Sequence, residues 1–224
     1  MNMKTIIAIA TLLLISCNST NHLMNDMPAL PDEPQLGHNV LSRDTVPEIT
    51  FPVITEDQRT MLHLKSGVVV PDSTRVIGVR EIEGNRTLEA YLVPLSEDPN
   101  DFEVYLMTRG SDGYGIHCIM LGKFHTSEHQ GPMRFGGNRF YTFDTSITFD
   151  GTKHIVLHRI LTLTSIYLKD HSLTEGWRVE WDDHYEIDDS GFIGFSRQQE
   201  TYRTDGVDDP VIDDYKSTAT RPTR

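Results

Sequence analysis

The clearest pattern in the chain is an alternation of apolar and polar positions in two segments, residues 140–149 and 177–187. Alternate residues of a β-strand lie on the same face of its sheet. One predicted face consists of Tyr141, Phe143, Thr145, Ile147 and Phe149. A second consists of Trp177, Val179, Trp181, Asp183, Tyr185 and Ile187, opposed by Arg178, Glu180, Asp182, His184 and Glu186. Both patterns are typical of strands that are buried on one side.

β-rich runs separated by turn residues extend this pattern over most of the chain. The predicted strands cover residues 75–83, 86–95, 102–109, 114–124, 139–149, 154–168, 177–187 and 192–204. Turn residues such as Gly84-Asn85 and Asp150-Gly151 separate them. Most connections are too short for a crossover helix, so neighbouring strands should pair in antiparallel fashion. The sequence predicts an all-β fold, an antiparallel meander of about eight strands that forms a barrel or a sandwich.

One short helix is predicted before the strands. Thr55 and Gln58 have the spacing of a capping box, and Gly67 is placed to end the helix. We therefore expect a helix over 56–66 and a β-rich globular domain over 53–206.

The amino terminus has the pattern of a secretory signal. Lys4 precedes an apolar stretch over 6–15, which is too short to span a membrane as a helix. The sequence Leu14-Ile15-Ser16-Cys17 that follows resembles the lipobox of bacterial lipoproteins. That resemblance implies cleavage of residues 1–16 and attachment of lipid to Cys17, which would anchor the chain to a membrane. An ordinary signal peptide with a chance cysteine is the alternative.

Two polar segments are expected to flank the domain. Residues 17–52 contain several prolines and few apolar residues, which predicts a flexible, lipidated tether. Residues 207–224 are expected to form an acidic and polar tail. The residues after Cys17 lack the aspartate that favours inner-membrane retention in enterobacterial lipoproteins. The resemblance therefore implies an outer-membrane anchor that faces the periplasm.

The charge and cysteine content restrict the partners. Among 224 residues, 33 are acidic and 20 are basic, a net charge of −13. Such a chain repels phosphate backbones, so nucleic acid is not an expected partner. There are two cysteines, and if Cys17 carries lipid then Cys118 has none to pair with. Cys118 lies in an apolar run and is expected to be a buried hydrophobic residue rather than a nucleophile.

An aromatic series is the first candidate binding site. Trp177, Trp181 and Tyr185 lie four residues apart on one predicted strand face. If exposed, their rings would form a strip about 26 Å long that can stack on sugar rings. If buried, they belong to the core or line a ligand cavity.

The second candidate is a metal site formed by His125, Glu128 and His129. On a helix the two histidines would share a face, but Thr126 stands where a zincin motif requires glutamate. Exposed loop histidines are the alternative. Two acidic series are further candidates for calcium sites, with solvated surface as the alternative. They are Glu180, Asp182, His184 and Glu186, and Asp205, Asp208, Asp209, Asp213 and Asp214.

No catalytic motif accompanies these candidates. The sequence contains no Gly-X-Ser-X-Gly, no Ser-X-X-Lys and no phosphate-binding glycine loop. We therefore predict a non-enzymatic envelope lipoprotein without a cofactor other than its lipid. Its β domain would bind a small molecule, a glycan or an envelope protein. A metal-assisted enzyme built on His125, Glu128 and His129, and a purely structural envelope protein, are the alternatives.

Overall fold

The computed structural model describes residues 27–34, 36, 51–95, 102–124, 127–132, 137–167 and 173–217. Within these ranges, two helices flank a series of antiparallel strands. The helices are α1 (Glu56–Ser66) and α2 (Pro210–Ser217). The strands are β1 (Arg75–Ile82), β2 (Arg86–Pro94), β3 (Phe102–Arg109), β4 (Gly115–Phe124), β5 (Ser127–Pro132), β6 (Gly137–Asp150), β7 (His154–Tyr167), β8 (Leu173–Ile187) and β9 (Ile193–Arg203).

The strands follow one another as hairpins in two sheets. Sheet 1 has the order β1-β2-β3-β4 and sheet 2 has the order β5-β6-β7-β8-β9. The predicted all-β meander is confirmed, and all eight predicted strands are present with boundaries shifted by at most four residues. The additional strand is β5, whose sequence Ser-Glu-His-Gln-Gly-Pro has neither apolar alternation nor β-branched residues. It is formed by pairing with β6 rather than by local preference.

The two sheets face each other across the largest core cluster. This is the arrangement of a β-sandwich, one of the two predicted architectures. Sheet 1 contributes residues such as Leu88, Leu106 and Leu121, and sheet 2 contributes Ile155 and Leu157. All five side chains are at most 1% exposed. Burial of a side chain of this size contributes about 1.5–3 kcal/mol, so this interface is a main source of stability.

Helix α1 covers the outer face of sheet 1. The predicted capping box is present, because the side chains of Thr55 and Gln58 each accept the other's backbone N–H. Gly67 ends the helix in the left-handed conformation, with φ of 74°. Leu62 is completely buried and packs in a cluster with Tyr91 and Met107.

Helix α2 packs on part of the inner face of sheet 2. Ile212 is 1% exposed and shares a core cluster with Trp177, Trp181 and Leu161. The prediction of a tail over 207–224 is therefore wrong for residues 210–217, which belong to the packed domain. The apolar residues of this helix are few, and their burial depends on a groove of aromatic side chains that only the folded sheet provides.

Part of the predicted tether also belongs to the domain. Residues 27–34, called the N-terminal arm below, run beside the edge strand β1 through a parallel bridge between Ala29 and Val79. Leu30 N donates to Val79 O at 2.9 Å, and the Leu30 side chain is 4% exposed. Gly78 allows this approach, because a Cβ there would lie 2.6 Å from Leu30 Cα. The prediction of a tether over 17–52 is thus wrong for the arm.

The predicted lipobox and its lipid attachment residue, Cys17, lie outside the described residues. Among the residues that the structure describes, no helix has the length and apolar character needed to cross a membrane.

Candidate binding cleft beside Arg109

A cleft of about 470 Å³ opens at the end of sheet 1 where α1 begins. Its walls come from the first turn of α1, from β1 and β2, and from the turn between β3 and β4. Met27 of the N-terminal arm contributes to the lining. The polar and charged side chains in the lining include Asp57, Gln58, Glu81, Arg86, Glu89 and Arg109.

Strand register brings the two central charges together. Thr87 on β2 pairs with Arg109 on β3, and Glu89, two residues further along β2, pairs with Met107. Glu89 and Arg109 are therefore diagonal neighbours on the outer face of sheet 1. Apolar residues continue this face beneath α1, whereas its end beside the first turn of the helix is polar.

The guanidinium of Arg109 has two of its three nitrogens engaged. Nε donates to Glu89 Oε2 at 3.0 Å, and Nη1 donates to Asp57 Oδ2 and to the carbonyl of Gly113, both at 3.1 Å. The third nitrogen, Nη2, is buried and has no hydrogen-bond partner in the described part of the chain. Arg109 lines the cleft, but the residue is only 5% exposed and its Nη2 is out of contact with water.

Glu89 is held in place by Arg109 and by Tyr91. The Tyr91 hydroxyl donates to Glu89 Oε2, the same oxygen that accepts from Arg109 Nε. Burial raises the pKa of Glu89, although Arg109 and the Tyr91 hydroxyl act in the opposite direction. Burial is also the main cause that raises the pKa of Tyr91 well above its usual value. A carboxyl with a shifted pKa beside a cleft is common at functional sites and also occurs in structural ion pairs.

This arrangement has hydrogen-bonding capacity that the protein itself does not use. A buried donor without a partner costs about 1–3 kcal/mol, which an acceptor on a bound ligand would recover. Arg109 already faces two carboxylates, Glu89 and Asp57, so a further full negative charge would be repelled. The cleft is therefore suited to a neutral acceptor, such as a carbonyl or hydroxyl oxygen, on a neutral or cationic molecule.

The predicted aromatic strip is not available to a ligand on the surface. Trp181 is fully buried, and Trp177 and Tyr185 are at most 9% exposed. The rings of Trp177 and Tyr141 pack 5.9 Å apart, those of Trp181 and Phe143 6.1 Å apart, and Tyr185 makes an edge contact with Phe195. Of the two alternatives, the structure shows burial in the core.

The predicted metal site is only partly described. His125 lies outside the described residues, and Glu128 and His129 are neighbours on strand β5 rather than on a helix. Because Glu128 and His129 lie on a strand, they are not part of the helix that would place both histidines on one face. In the described part of the chain, no three His, Cys, Asp or Glu side chains form a group that could hold a metal ion.

The acidic series on β8 contacts His158 on the outer face of sheet 2. His158 Nδ1 lies 2.6 Å from Asp182 Oδ1, and its Nε2 lies 3.5 Å from Glu180 Oε2. Strand register also places Ser146 opposite His158. Because both ring nitrogens of His158 face carboxylates on β8, the row Ser146, His158 and Asp182 does not have the geometry of a catalytic triad.

Cys118 is buried, as expected of a hydrophobic residue. Its side chain belongs to the cluster beneath α1, and burial raises the pKa of its thiol to about 12. The thiol is therefore protonated at neutral pH, which disfavours nucleophilic chemistry.

Sequence reasoning missed the cleft. The available signal was Glu89, a carboxylate within the otherwise apolar strand segment Leu88 to Val93. A charge in such a segment is buried only when it is paired, which pointed to a basic partner on a neighbouring strand. Comparison of the chain with known protein families, with curated proteins and with solved structures found no match.

Proposed function

We propose that this chain is a lipid-anchored, periplasm-facing envelope lipoprotein whose β-sandwich binds a small polar ligand in the cleft beside Arg109. The proposed protein is not an enzyme; it captures its ligand and holds it near the membrane. The observation that carries the proposal is the cleft lined by the buried pair of Glu89 and Arg109. A ligand would reach the unpartnered Nη2 through a shift of the Arg109 side chain.

The cleft volume supports a ligand of small-molecule size. A volume of about 470 Å³ lies within the range of roughly 300–1,000 Å³ that is typical of ligand pockets. The lining combines apolar contacts from Val79 and Ile82 with a few polar groups, which is also the usual composition of such pockets.

The charges of the lining support a neutral or cationic ligand. Asp57, Glu81 and Glu89 stand against Arg86 and Arg109, so the cleft has one more acidic than basic side chain. Arg86 is already engaged, because its Nη1 donates to Asp189 O at 2.6 Å. An amide or a sugar with an acceptor for Arg109 fits this balance better than a carboxylate or phosphate does.

The lipid anchor rests on the resemblance at Cys17. Ten peptide units separate Cys17 from Met27, where the described arm begins, and they can extend to about 35 Å at most. Docking of the arm would therefore hold the sandwich closer to the membrane than a tether over 17–52 would. Labelled palmitate should enter the wild type and not a Cys17→Ala variant.

Ligand capture can be tested by thermal shift with separate panels of small amides, sugars, amines and carboxylates. We expect saturable stabilisation by a member of the amide, sugar or amine panels, and its loss in Arg109→Met. Arg59→Met is the matched control, because Arg59 pairs with the exposed Asp72 away from the cleft. Stabilisation by carboxylates alone, or an equal shift in Arg109→Met, would contradict the proposal.

A further inference from the structure

Three turns meet at one end of the sandwich, next to the cleft. They connect β1 to β2, β3 to β4, and β8 to β9, and we call the surface they form the turn surface (residues 83–85, 110–116 and 188–192). Arg86 Nη1 and Thr108 Oγ1 each donate to a carbonyl of the third turn, those of Asp189 and Gly191, at 2.6 Å. These hydrogen bonds link the two sheets, so the three turns form a single surface.

The turn surface exposes large apolar side chains. Tyr114 is 69% exposed, Phe192 50% and Ile116 36%. Tyr114 and Phe192 occupy turn positions, which usually carry small or polar residues, whereas Ile116 is the second residue of β4. Phe192 is also held in place, because its ring stacks on His117 at 3.8 Å and its backbone N–H donates to Asp188 Oδ1 at 2.9 Å. The apolar groups are therefore presented on an ordered surface.

Carboxylates surround these apolar groups. Glu83, Asp112, Asp188 and Asp189 are all exposed members of the turn surface. Lys153 neutralises part of this charge through Glu83 and Asp189, at 2.7 and 2.9 Å, and Lys65 lies near Gly115. Asp112 and Asp188 accept hydrogen bonds from backbone N–H groups of their own turns.

We propose that the turn surface binds a basic peptide segment that carries aromatic or large aliphatic side chains. The apolar side chains of the segment would pack against Tyr114, Ile116 and Phe192, and its Lys or Arg residues would face Asp112 and Asp188. This inference rests on the proposed function, because the adjoining cleft would receive one carbonyl of the same segment at Arg109. The acidic rim selects against an anionic membrane surface, which the exposed aromatic side chains alone would also fit.

Fluorescence anisotropy with a short labelled peptide of alternating Lys and Phe tests this inference. We expect wild-type binding that weakens with added salt, and an affinity about tenfold lower in a Tyr114→Ala/Phe192→Ala variant. Tyr202→Ala is the matched control, because Tyr202 is an exposed aromatic residue at the far end of β9. Asp112→Asn keeps an oxygen acceptor for the turn and should weaken binding without unfolding.

Three outcomes would overturn the inference. The first is an unchanged affinity in the double variant, and the second is equal binding of a peptide with Glu in place of Lys. The third is a stronger response to anionic vesicles, or to a second copy of the chain in sedimentation, than to the basic peptide. Failure of peptide binding while the Arg109-dependent thermal shift persists refutes this inference alone, whereas loss of that shift refutes the proposed function.

Discussion

The two sheets each contain a buried arginine paired with a buried carboxylate, and the pair in sheet 1 borders the cleft described above. In sheet 1, Arg109 pairs with Glu89 at 3.0 Å. In sheet 2, Arg159 pairs with Asp183 at 2.8 Å. All four residues are at most 7% exposed. The sequence separation is also similar, since each pair joins neighbouring antiparallel strands.

The two pairs differ in what surrounds them. Arg159 Nη2 donates to Leu121 O of sheet 1 at 3.2 Å, and its guanidinium lies 5.8 Å from the centre of the Phe143 ring. Asp183, which is completely buried, also accepts from Gln198 Nε2 at 2.7 Å. Arg159 thus connects the two sheets, whereas the corresponding nitrogen of Arg109 has no partner among the described residues.

This difference shows how a structural ion pair is distinguished from a candidate site. Burial and a charged partner are common to both pairs, so neither feature indicates function alone. The distinguishing feature is the volume beside Arg109. Each pair contains buried polar atoms without a hydrogen bond, Nη2 of Arg109 in one, and Nε of Arg159 and Oδ2 of Asp183, which lie 2.8 Å apart as an ion pair, in the other.

Removal of Asp183 from its pair with Arg159 should lower the free energy of unfolding the most. We expect Asp183→Ala to lower the free energy of unfolding by about 3–5 kcal/mol, because it leaves the Arg159 charge buried and unpaired. Urea denaturation of the purified protein measures this loss. The control is Asp72→Ala, which removes an exposed partner of Arg59 and should cost under about 1 kcal/mol. Equal losses in the two variants would contradict the assignment of the pair as structural.

Removal of Arg109 should cost less than removal of Arg159. We expect Arg109→Met to lower the free energy of unfolding by about 1–3 kcal/mol, because water can enter the cleft and solvate Glu89. Arg159→Met is the comparison, with an expected loss of about 3–5 kcal/mol. If urea denaturation gives Arg109→Met the larger loss, Arg109 is the main structural pair and the contrast is reversed.

The same contrast shows how much the sequence predicts. The capping box at Thr55 and the alternation over 139–149 and 177–187 are local patterns, and they correctly predict α1 and two long strands. Strand β5 and helix α2 have weak local patterns, and their structure depends on the sheet against which they lie. Arg109 meets Glu89 and Asp57, which are 20 and 52 residues away in the chain. Such a site follows from strand register, which the apolar pattern alone does not specify.

The raised pKa of Glu89 predicts a pH dependence of stability. A carboxyl whose folded pKa lies above its ordinary value of 4.5 binds a proton more tightly in the folded state. Its contribution to stability therefore falls as pH rises from 4.5 through the folded pKa. As pH rises over this interval, we expect the melting temperature of the wild type to fall relative to that of Glu89→Gln. Thermal melts of both proteins at a series of pH values measure this difference. Other shifted carboxyls, such as Asp144 and Asp183, are present in both proteins and cancel.

The exposed partner of Arg109 should have the smallest effect on stability. The Asp57 side chain is 62% exposed and meets Arg109 Nη1 at 3.1 Å. An ion pair with one partner in solvent contributes little, so Asp57→Asn should change the free energy of unfolding by less than about 1 kcal/mol. Cationic ligands should nevertheless bind more weakly, because the cleft loses one of its three acidic side chains. The thermal shifts that the amine panel produces in Asp57→Asn and in the control Asp72→Asn measure this loss of binding, and the melting temperatures without ligand measure stability. A large loss of stability in Asp57→Asn would instead make the whole Arg109 cluster structural, like the pair in sheet 2.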